Sequence, residues 1–319
     1  MKKISIFTTI GGGNLSPSER QDLYLEALES YLDFADEVVL VIGDDENNRE
    51  WIKNLPKDDK LKFIYKYWAS EFDWKRIGKQ FQFGYENCTG NYVIRADGDY
   101  FFHQDDFEDI RTFLEGCDAP AALMAKKQIL RVDKFRVKSL VPIALNKGKY
   151  GDRIKLDKGG DLCQPSLDGK ELDGDKLPII SRKEPVVISG EVDERQLEKR
   201  LPSNIRHYEG DMLYTMNRGI HFWNYECILR TKDVQAKEFH RFAKAWQRTF
   251  GDDPLGAESE IKALERFLEM QLGRFRRGGW TDLELNEHPK YIQETIKNLK
   301  PEQFGYSLWG NVEKAKYFR

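Results

Sequence analysis

Residues 91–99 read NYVIRADGD, a short apolar run that ends in the acidic turn Asp97-Gly98-Asp99. Aromatic and β-branched residues in front of a glycine-containing turn predict a buried strand over residues 91–96. Two carboxylates separated by glycine can bind a hard divalent cation, which in turn bridges the oxygens of a diphosphate. A solvated acidic turn is the alternative, and the place of this strand in the fold bears on the choice.

The segments that precede this strand alternate between two periodicities. Apolar, β-branched runs predict buried strands over residues 4–9, 37–42 and 61–65. Helical patterns follow the first and the third run, one with Ser18 as its N-cap and one over residues 74–87. Strands separated by helices predict βαβ units and a largely parallel sheet.

In a parallel sheet of this kind, ligands bind beyond the carboxyl ends of the strands. Thr8, Asp44 and Asp97 each follow or close one of the predicted strands. The coincidence favours a ligand site at this edge and gives the acidic turn a functional interpretation.

Composition excludes several classes of protein. The 319 residues carry 51 basic and 54 acidic side chains, a net charge of −3, which argues against a dedicated nucleic-acid binder. Hydrophobic residues make up 40% of the chain, which excludes wholesale disorder, and no apolar run approaches the roughly 20 residues of a membrane span. We expect no stable membrane insertion, and the four scattered cysteines favour a reducing cytoplasm.

The rest of the chain predicts a second, different half and a helical end. Residues 121–132 and 135–145 alternate like antiparallel strands, and residues 220–229 are strand-like. Helical patterns follow from residue 234, with Phe250 on one apolar face and Ile261 on the next. The predicted divisions are an α/β half (1–117), a second half of the same domain (118–232) and a helical C-terminal region (233–319).

Residues 84–99, GYENCTGNYVIRADGD, resemble the signature of family 2 glycosyltransferases with the GT-A fold. The resemblance covers residues 1–110 well, and residues 287–289 and 301–306 are similar, less specifically, to bacterial and phage members. It implies an α/β fold with a Rossmann-like, nucleotide-sugar-binding mixed sheet flanked by helices. In one respect the chain departs from the family: Phe81 and Gln82 stand where many members have arginine and asparagine. Arg76 or Lys79 is our candidate for the missing cation.

The resemblance implies transfer of a sugar from a nucleotide-diphosphate donor to an acceptor hydroxyl, with Mn²⁺ or Mg²⁺ bound. It places Thr8 and Thr9 against the nucleoside, with Asp44 accepting hydrogen bonds from the base. Asp97 then faces the ribose or the metal, and Asp99 binds the metal.

Two further roles follow from the same resemblance. GT-A enzymes often take another metal ligand from the C-terminal half, commonly histidine, and His221 among aromatic residues is our candidate; a hydrogen-bonded core histidine is the alternative. Family 2 members generally invert the anomeric carbon, which requires a carboxylate to deprotonate the acceptor. Asp211, in a glycine-containing turn, is our first candidate for this base, ahead of Glu209 and Asp161.

The acceptor and two rival functions stay open. Basic residues on the last helices are typical of a solvated face, or else fit an anionic acceptor such as a glycolipid, a teichoic-type glycan or DNA with hydroxylated bases. A nucleotidyltransferase would need a basic residue in the glycine-rich loop after the first strand, yet none follows Gly11 until Arg20. A non-catalytic nucleotide- or glycan-binding module on the same fold is the other alternative.

Overall fold

The computed structural model describes residues 1–11, 16–43, 50–68, 71–156, 164–181, 220–225, 228–276 and 281–307. Its strands are β1 (Ile4–Ile10), β2 (Glu37–Ile42), β3 (Leu61–Tyr65), β4 (Tyr92–Arg95), β5 (Tyr100–Phe102), β6 (Ala121–Arg131), β7 (Lys134–Leu145), β8 (Ile154–Lys155), β9 (Ser166–Leu167), β10 (Lys170–Glu171), β11 (His221–Asn224) and β12 (Thr281–Asp282). They form a large mixed sheet in the order β3-β2-β1-β4-β7-β6-β11-β5, with β12 paired to β7, and a small sheet in the order β10-β9-β8.

Helices cover both faces of the large sheet, and four of them lie in the described residues after position 231. In the described ranges they are α1 (Tyr24–Phe34), α2 (Lys75–Asn87), α3 (Phe107–Gly116), α4 (Lys147–Tyr150), α5 (Lys232–Phe250), α6 (Glu260–Arg276), α7 (Lys290–Lys297) and α8 (Phe304–Ser307). None of the helices in these ranges combines the length and the apolar character that crossing a membrane requires. The predicted fold class, a mixed α/β sheet flanked by helices with a helical C-terminal region, is confirmed.

The first four strands form the parallel half of the large sheet. β1 pairs in parallel with β2 on one side and with β4 on the other, and β3 extends the sheet beyond β2. This order, 3-2-1-4, is that of a nucleotide-binding α/β half. It brings the carboxyl ends of β1 and β4 next to each other, so the acidic turn after β4 lies at the edge where ligands bind.

Side chains of β1 alternate between two cores. Ile6 and Ile10 face the core that α1 covers, whereas Phe7 faces the core that α2 covers. A Cβ at Gly84 would lie only 2.5 Å from Cδ2 of Phe7, so glycine is what lets α2 pack so closely on β1.

Helix α1 begins later than the sequence predicts. Ser18 is not its N-cap: residues 16–22 form a separate turn, in which the N–H of Asp22 donates to the carbonyl of Pro17 at 3.0 Å. Gln21 then takes a left-handed conformation with φ of 56°, which ends that turn. The helix therefore starts at Tyr24, and the Ser18 hydroxyl lies 3.2 Å from the hydroxyl of Tyr24.

The second half of the chain adds antiparallel pairing to the sheet. β6 and β7 form the predicted hairpin, and β7 pairs antiparallel with β4. β11 inserts between β6, to which it is parallel, and β5, to which it is antiparallel. As a result, residues after position 220 reach the strand that leaves the acidic turn.

The apolar faces of α5 and α6 depart from the predicted ones at Phe250 and Ile261. Phe250 is 56% exposed and Ile261 is 72% exposed, so neither belongs to the buried face. On α6 the buried stripe is instead Ala263, Phe267 and Gln271, at a spacing of four residues. The ring of Phe267 packs at 5.2 Å from that of Phe239 on α5, which fixes this choice of face.

His288 lies at the junction between the C-terminal region and the sheet. It is fully buried, its Nδ1 accepts from the hydroxyl of Tyr225 at 2.8 Å and its Nε2–H donates to the carbonyl of Val132 at 2.8 Å. Burial lowers the pKa of His288 from 6.5 to about 4. Because Nε2 carries the proton that bonds Val132, Nδ1 of the neutral ring accepts from Tyr225, and burial disfavours adding a second proton.

We therefore predict that His288 makes the fold lose stability as pH falls from 6.5 to about 4. In that window His288 is protonated in the unfolded chain but not in the folded one. The free energy of unfolding therefore falls by about 1.4 kcal/mol per pH unit. The free energy of unfolding, measured with urea at several pH values, should decline there. In His288→Gln, which has an amide in place of the imidazole, the curve should be flatter; an unchanged slope would contradict the assignment.

Candidate functional site

Tyr31 of α1 hydrogen-bonds to the backbone of the acidic turn between β4 and β5. The Tyr31 hydroxyl donates to the carbonyl oxygens of Asp97 at 2.6 Å and Tyr100 at 2.8 Å. Tyr31 is fully buried, and burial, followed by the nearby charges of Asp99 and Asp97, raises its pKa well above the usual value. The hydroxyl therefore stays protonated and holds the two ends of the turn together.

Removing this hydroxyl is expected to destabilise the turn. Tyr31→Phe keeps the ring but removes the buried hydroxyl proton that the two carbonyls share, which costs about 1–3 kcal/mol of unfolding free energy. Tyr291→Phe is a matched control, because its hydroxyl donates at 2.7 Å to the exposed Asp33 and water can replace it. Chemical denaturation of both variants should show the larger loss for Tyr31; equal losses would contradict its supporting role.

Asp99 is held by two consecutive residues at the end of β11. The side-chain Nδ2 of Asn224 donates to Oδ2 of Asp99 at 3.0 Å, and the N–H of Tyr225 donates to the Asp99 carbonyl at 3.2 Å. Asn224 is 2% exposed, and its Oδ1 is buried without a hydrogen-bond partner. Asp99 itself is half-buried, so Asn224 and Tyr225 fix an aspartate that is partly exposed to solvent.

Asp97 has a buried cation beside it. Nη2 of Arg95 lies 3.8 Å from Oδ2 of Asp97, and the guanidinium lies 4.7 Å from the ring centroid of Phe81. Arg95 is 3% exposed, whereas the Asp97 side chain is 28% exposed. Phe81 of α2 thus packs against the guanidinium of an arginine from β4.

Arg95 and Asn224 are not among the site residues that the sequence predicted. A signal existed for Arg95, since a single cation within an otherwise apolar buried strand needs a partner. For Asn224 the only signal is a polar residue at the end of the run HFWN, which does not by itself point to Asp99.

The two threonines of β1 differ in accessibility. Thr8 is fully buried, and its hydroxyl makes no hydrogen bond. Thr9, its neighbour in register with Val41 of β2, is half-buried. Thr9 is therefore the threonine that a ligand at this edge can reach.

The structure does not bring His221 to the acidic turn. Asn224 is the residue of β11 that pairs with Tyr100, the residue after Asp99. His221 lies three residues earlier, at the other end of the strand. Three residues of a strand span roughly 10 Å, and side chains an odd number of positions apart face opposite sides of the sheet. His221 is also 4% exposed. Both the distance and the face separate it from Asp97 and Asp99.

Of the other predicted site residues, Arg76 lies in the described ranges and the candidate carboxylates do not. Arg76 lies half-buried in the first turn of α2, where its N–H donates to Oδ1 of Asp73 at 2.9 Å. Because α2 follows β3, this turn lies toward the carboxyl edge of the sheet. Asp44 and Asp211, as well as Glu209 and Asp161, lie outside the described residues.

Part of the basic face predicted on α5 is used inside the protein. Arg241 pairs with Glu238 at 2.9 Å and lies 5.4 Å from the ring centroid of Phe72. Nε of Arg248 donates to the carbonyl of Phe72 at 3.0 Å. These contacts hold α5 against the segment before α2, whereas Lys237 and Lys244 of the predicted basic face are exposed.

A divalent cation fits the donors of the acidic turn. Within the described ranges, no group of three or more histidine, cysteine, aspartate or glutamate side chains is arranged to hold a metal ion. Mg²⁺, however, is usually bound by one or two carboxylates together with substrate phosphates and water. Asp97 and Asp99 supply two such carboxylates on one turn, both reachable from solvent.

Comparisons with known proteins give remote likenesses. No protein-family model matches the chain, and no curated protein matches it. Residues 1–349 of S. aureus TarS in complex with UDP align with 92% of this chain and 78% of that one, at 13% identity and a TM-score of 0.36. The mannosyltransferase PcManGT from Pyrobaculum calidifontis, in complex with GDP-Man and Mn²⁺, aligns with 41% of this chain and 36% of that one, at 16% identity and a TM-score of 0.28.

A third structure comes from a different class of enzyme. The 4-diphosphocytidyl-2C-methyl-D-erythritol synthase of Anaerococcus prevotii aligns with 47% of this chain and 74% of that one, at 16% identity and a TM-score of 0.31. Similarities at these TM-scores do not distinguish one function from another, so the functional conclusion rests on the residues of the site.

Proposed function

We propose that the protein is a metal-dependent glycosyltransferase of the GT-A type, which moves a sugar from a nucleotide-diphosphate donor to an acceptor hydroxyl. The observation that carries the proposal is the turn with Asp97 and Asp99, half-exposed at the carboxyl edge of β4 and fixed from two sides by Tyr31 and Asn224. A merely solvated turn needs no such support. The resemblance of residues 84–99 to family 2 glycosyltransferases favours the same conclusion.

The residues of the turn have separate roles in this proposal. Asp99 binds Mn²⁺ or Mg²⁺, and Asp97 binds the same ion or the ribose of the donor. When bound, the ion neutralises the charge that develops on the departing diphosphate. Arg95 keeps the Asp97 carboxylate in place from within the sheet, since the two charged groups lie 3.8 Å apart.

The nucleoside and the acceptor are assigned to the two sides of this turn. Thr9, with Thr8 beneath it, and Asp44 follow or close strands of residues 1–117, and we propose that they contact the nucleoside. Arg76 adds positive charge near the diphosphate from the first turn of α2. Residues 118–232 bind the acceptor, with Asp211 as the base of an inverting transfer, and residues 233–319 form the helical region packed against them.

The cysteines support a proposal for the compartment. Cys88 and Cys117, the two within the described ranges, are free and buried. Thiols that stay unpaired are typical of a reducing compartment, so we propose that the transfer takes place in the cytoplasm.

Product analysis separates this proposal from its rivals. The protein is incubated with Mn²⁺ and a panel of UDP-, GDP- and dTDP-sugars, with simple glycosides as acceptors, and the released nucleotide is identified. A glycosyltransferase releases the nucleoside diphosphate. A parallel incubation supplies nucleoside triphosphates and sugar phosphates, and release of pyrophosphate there would instead indicate a nucleotidyltransferase. Binding without any turnover would indicate a binding module.

A further inference from the structure

The side-chain amide of Asn224 makes a hydrogen bond through its Nδ2 but none through its Oδ1. A carboxylate only accepts hydrogen bonds, so the 3.0 Å contact with Oδ2 of Asp99 fixes the amide with its NH₂ group toward Asp99. The other end, Oδ1, is then directed into the protein, where it is buried and has no hydrogen-bond partner. A buried carbonyl without a donor destabilises a fold, so such a group calls for an explanation.

Packing does not supply that explanation. Asn224 lies 98% buried on a strand whose preceding residues are apolar or aromatic, a position that an apolar side chain of similar volume would fill at no polar cost. What an apolar side chain cannot do is donate to Asp99. The chain therefore retains a costly amide at the one place where it orients the carboxylate.

The backbone next to Asn224 reinforces the same contact. The N–H of Tyr225 donates to the carbonyl of Asp99 at 3.2 Å, so main chain and side chain of Asp99 are both fixed by the end of β11. Tyr225 is in turn hydrogen-bonded to the buried His288. Residues from the second half of the chain thus set the orientation of a carboxylate that belongs to the first half.

We propose that Asn224 is the positioning residue for Asp99: its amide holds the carboxylate in the orientation that binds the divalent cation. This inference rests on the proposed function, because it assigns a metal to Asp99. Partners that orient a metal ligand typically change metal affinity by about 10–100-fold when they are removed. Asn224 thereby makes metal binding depend on how β11 pairs with β5.

The test is Mn²⁺ binding, followed by electron paramagnetic resonance of the free ion, with the full chain alone and with UDP or GDP added. Asn224→Leu removes the donor and the buried carbonyl together, and it should weaken Mn²⁺ binding about 10-fold or more while the thermal midpoint stays equal or rises. A merely structural asparagine would show the reverse, a lower midpoint and unchanged binding. If Asn224→Leu fails to fold, Asn224→Ser carries the same expectation for Mn²⁺.

Asn146→Leu is the matched control. Asn146 is also buried, at 3% exposure, and its Nδ2 is likewise without a partner, but its Oδ1 accepts from the N–H of Lys149 at the start of α4. This variant should bind Mn²⁺ like the original protein. If Asp99→Asn loses Mn²⁺ binding while Asn224→Leu retains it in full, the positioning role is overturned and the proposed function stands. If the unaltered protein binds no Mn²⁺ under any of these conditions, both are overturned.

Discussion

Asp99→Asn is expected to reduce the rate of sugar transfer by about 10²–10³-fold, the range seen when one preorganised group that stabilises transition-state charge is removed. The substitution removes the charge that binds the divalent cation, but an amide oxygen at the same place still accepts from Nδ2 of Asn224. The fold should therefore persist, with a thermal midpoint close to that of the original protein. Release of nucleoside diphosphate under saturating donor measures the rate.

Asp105→Asn is the control for charge alone. Asp105 lies six residues further along the chain, and its side chain is 70% exposed. The substitution removes one negative charge from the same region without changing the acidic turn, so the rate of sugar transfer should stay within about twofold. Comparable losses in the two variants would show that net charge, rather than the ligand role of Asp99, governs the reaction.

Glu37→Ala is expected to cost about 2–4 kcal/mol of unfolding free energy, the largest structural effect that we predict, because two donors lose their acceptor. The Glu37 side chain is 2% exposed, and it accepts from the N–H of Thr89 at 2.7 Å and from the hydroxyl of Ser5. Lys62 pairs with it as well, and Lys3 lies 3.9 Å away. Alanine would leave the Ser5 hydroxyl and the Thr89 N–H buried or half-buried without their acceptor.

We expect the Glu37 carboxylate to give a second pH range in which the fold loses stability. Burial opposes ionisation, but the hydrogen bonds from Lys62, Ser5 and Thr89 outweigh it and lower the pKa of Glu37 from 4.5 to about 2. A depressed carboxyl pKa gives stability that is fully present above 4.5 and is lost as pH falls toward 2. Urea unfolding of Glu37→Ala and Glu37→Gln at pH 7 and pH 3 checks this.

The difference between the original protein and Glu37→Ala should be large at pH 7 and smaller at pH 3, with Glu37→Gln in between, because an amide oxygen still accepts. This window lies below the one assigned to His288, so the two contributions separate along the pH axis. A cost of Glu37→Ala below about 1 kcal/mol at pH 7 would contradict the structural role given to the carboxylate.

Local pattern was enough to predict the parallel half of the fold. The strands over residues 37–42 and 61–65 agree with the structure at both ends, because each is an apolar or alternating run between polar turns. The start of α1 was wrong because a turn with its own hydrogen bonds competes for Ser18. Ile261 was wrongly placed on the inward face of α6, because the contact of Phe267 with Phe239, which no local pattern contains, selects that face.

The acidic turn could be predicted from the sequence, whereas its supports could not. Asp97 and Asp99 are adjacent to a strand end in the chain, so their location follows from that strand. The contact of Asn224 with Asp99 spans 125 positions and depends on β11 entering between β6 and β5 in one register. The same insertion separates His221 from the turn, although aromatic neighbours and placement in the second half had made it our candidate ligand.

The most direct test of the central claim is thermal stability with nucleoside diphosphates and nucleotide sugars, each with and without Mn²⁺, for the original protein and Asp99→Ala. A ligand that binds only the folded state stabilises it by about 2.7 kcal/mol at a hundredfold excess over Kd. The account predicts a rise in the midpoint for one nucleotide family that requires Mn²⁺ and disappears in Asp99→Ala. No rise with any nucleotide, or a rise that Asp99→Ala retains in full, would contradict it.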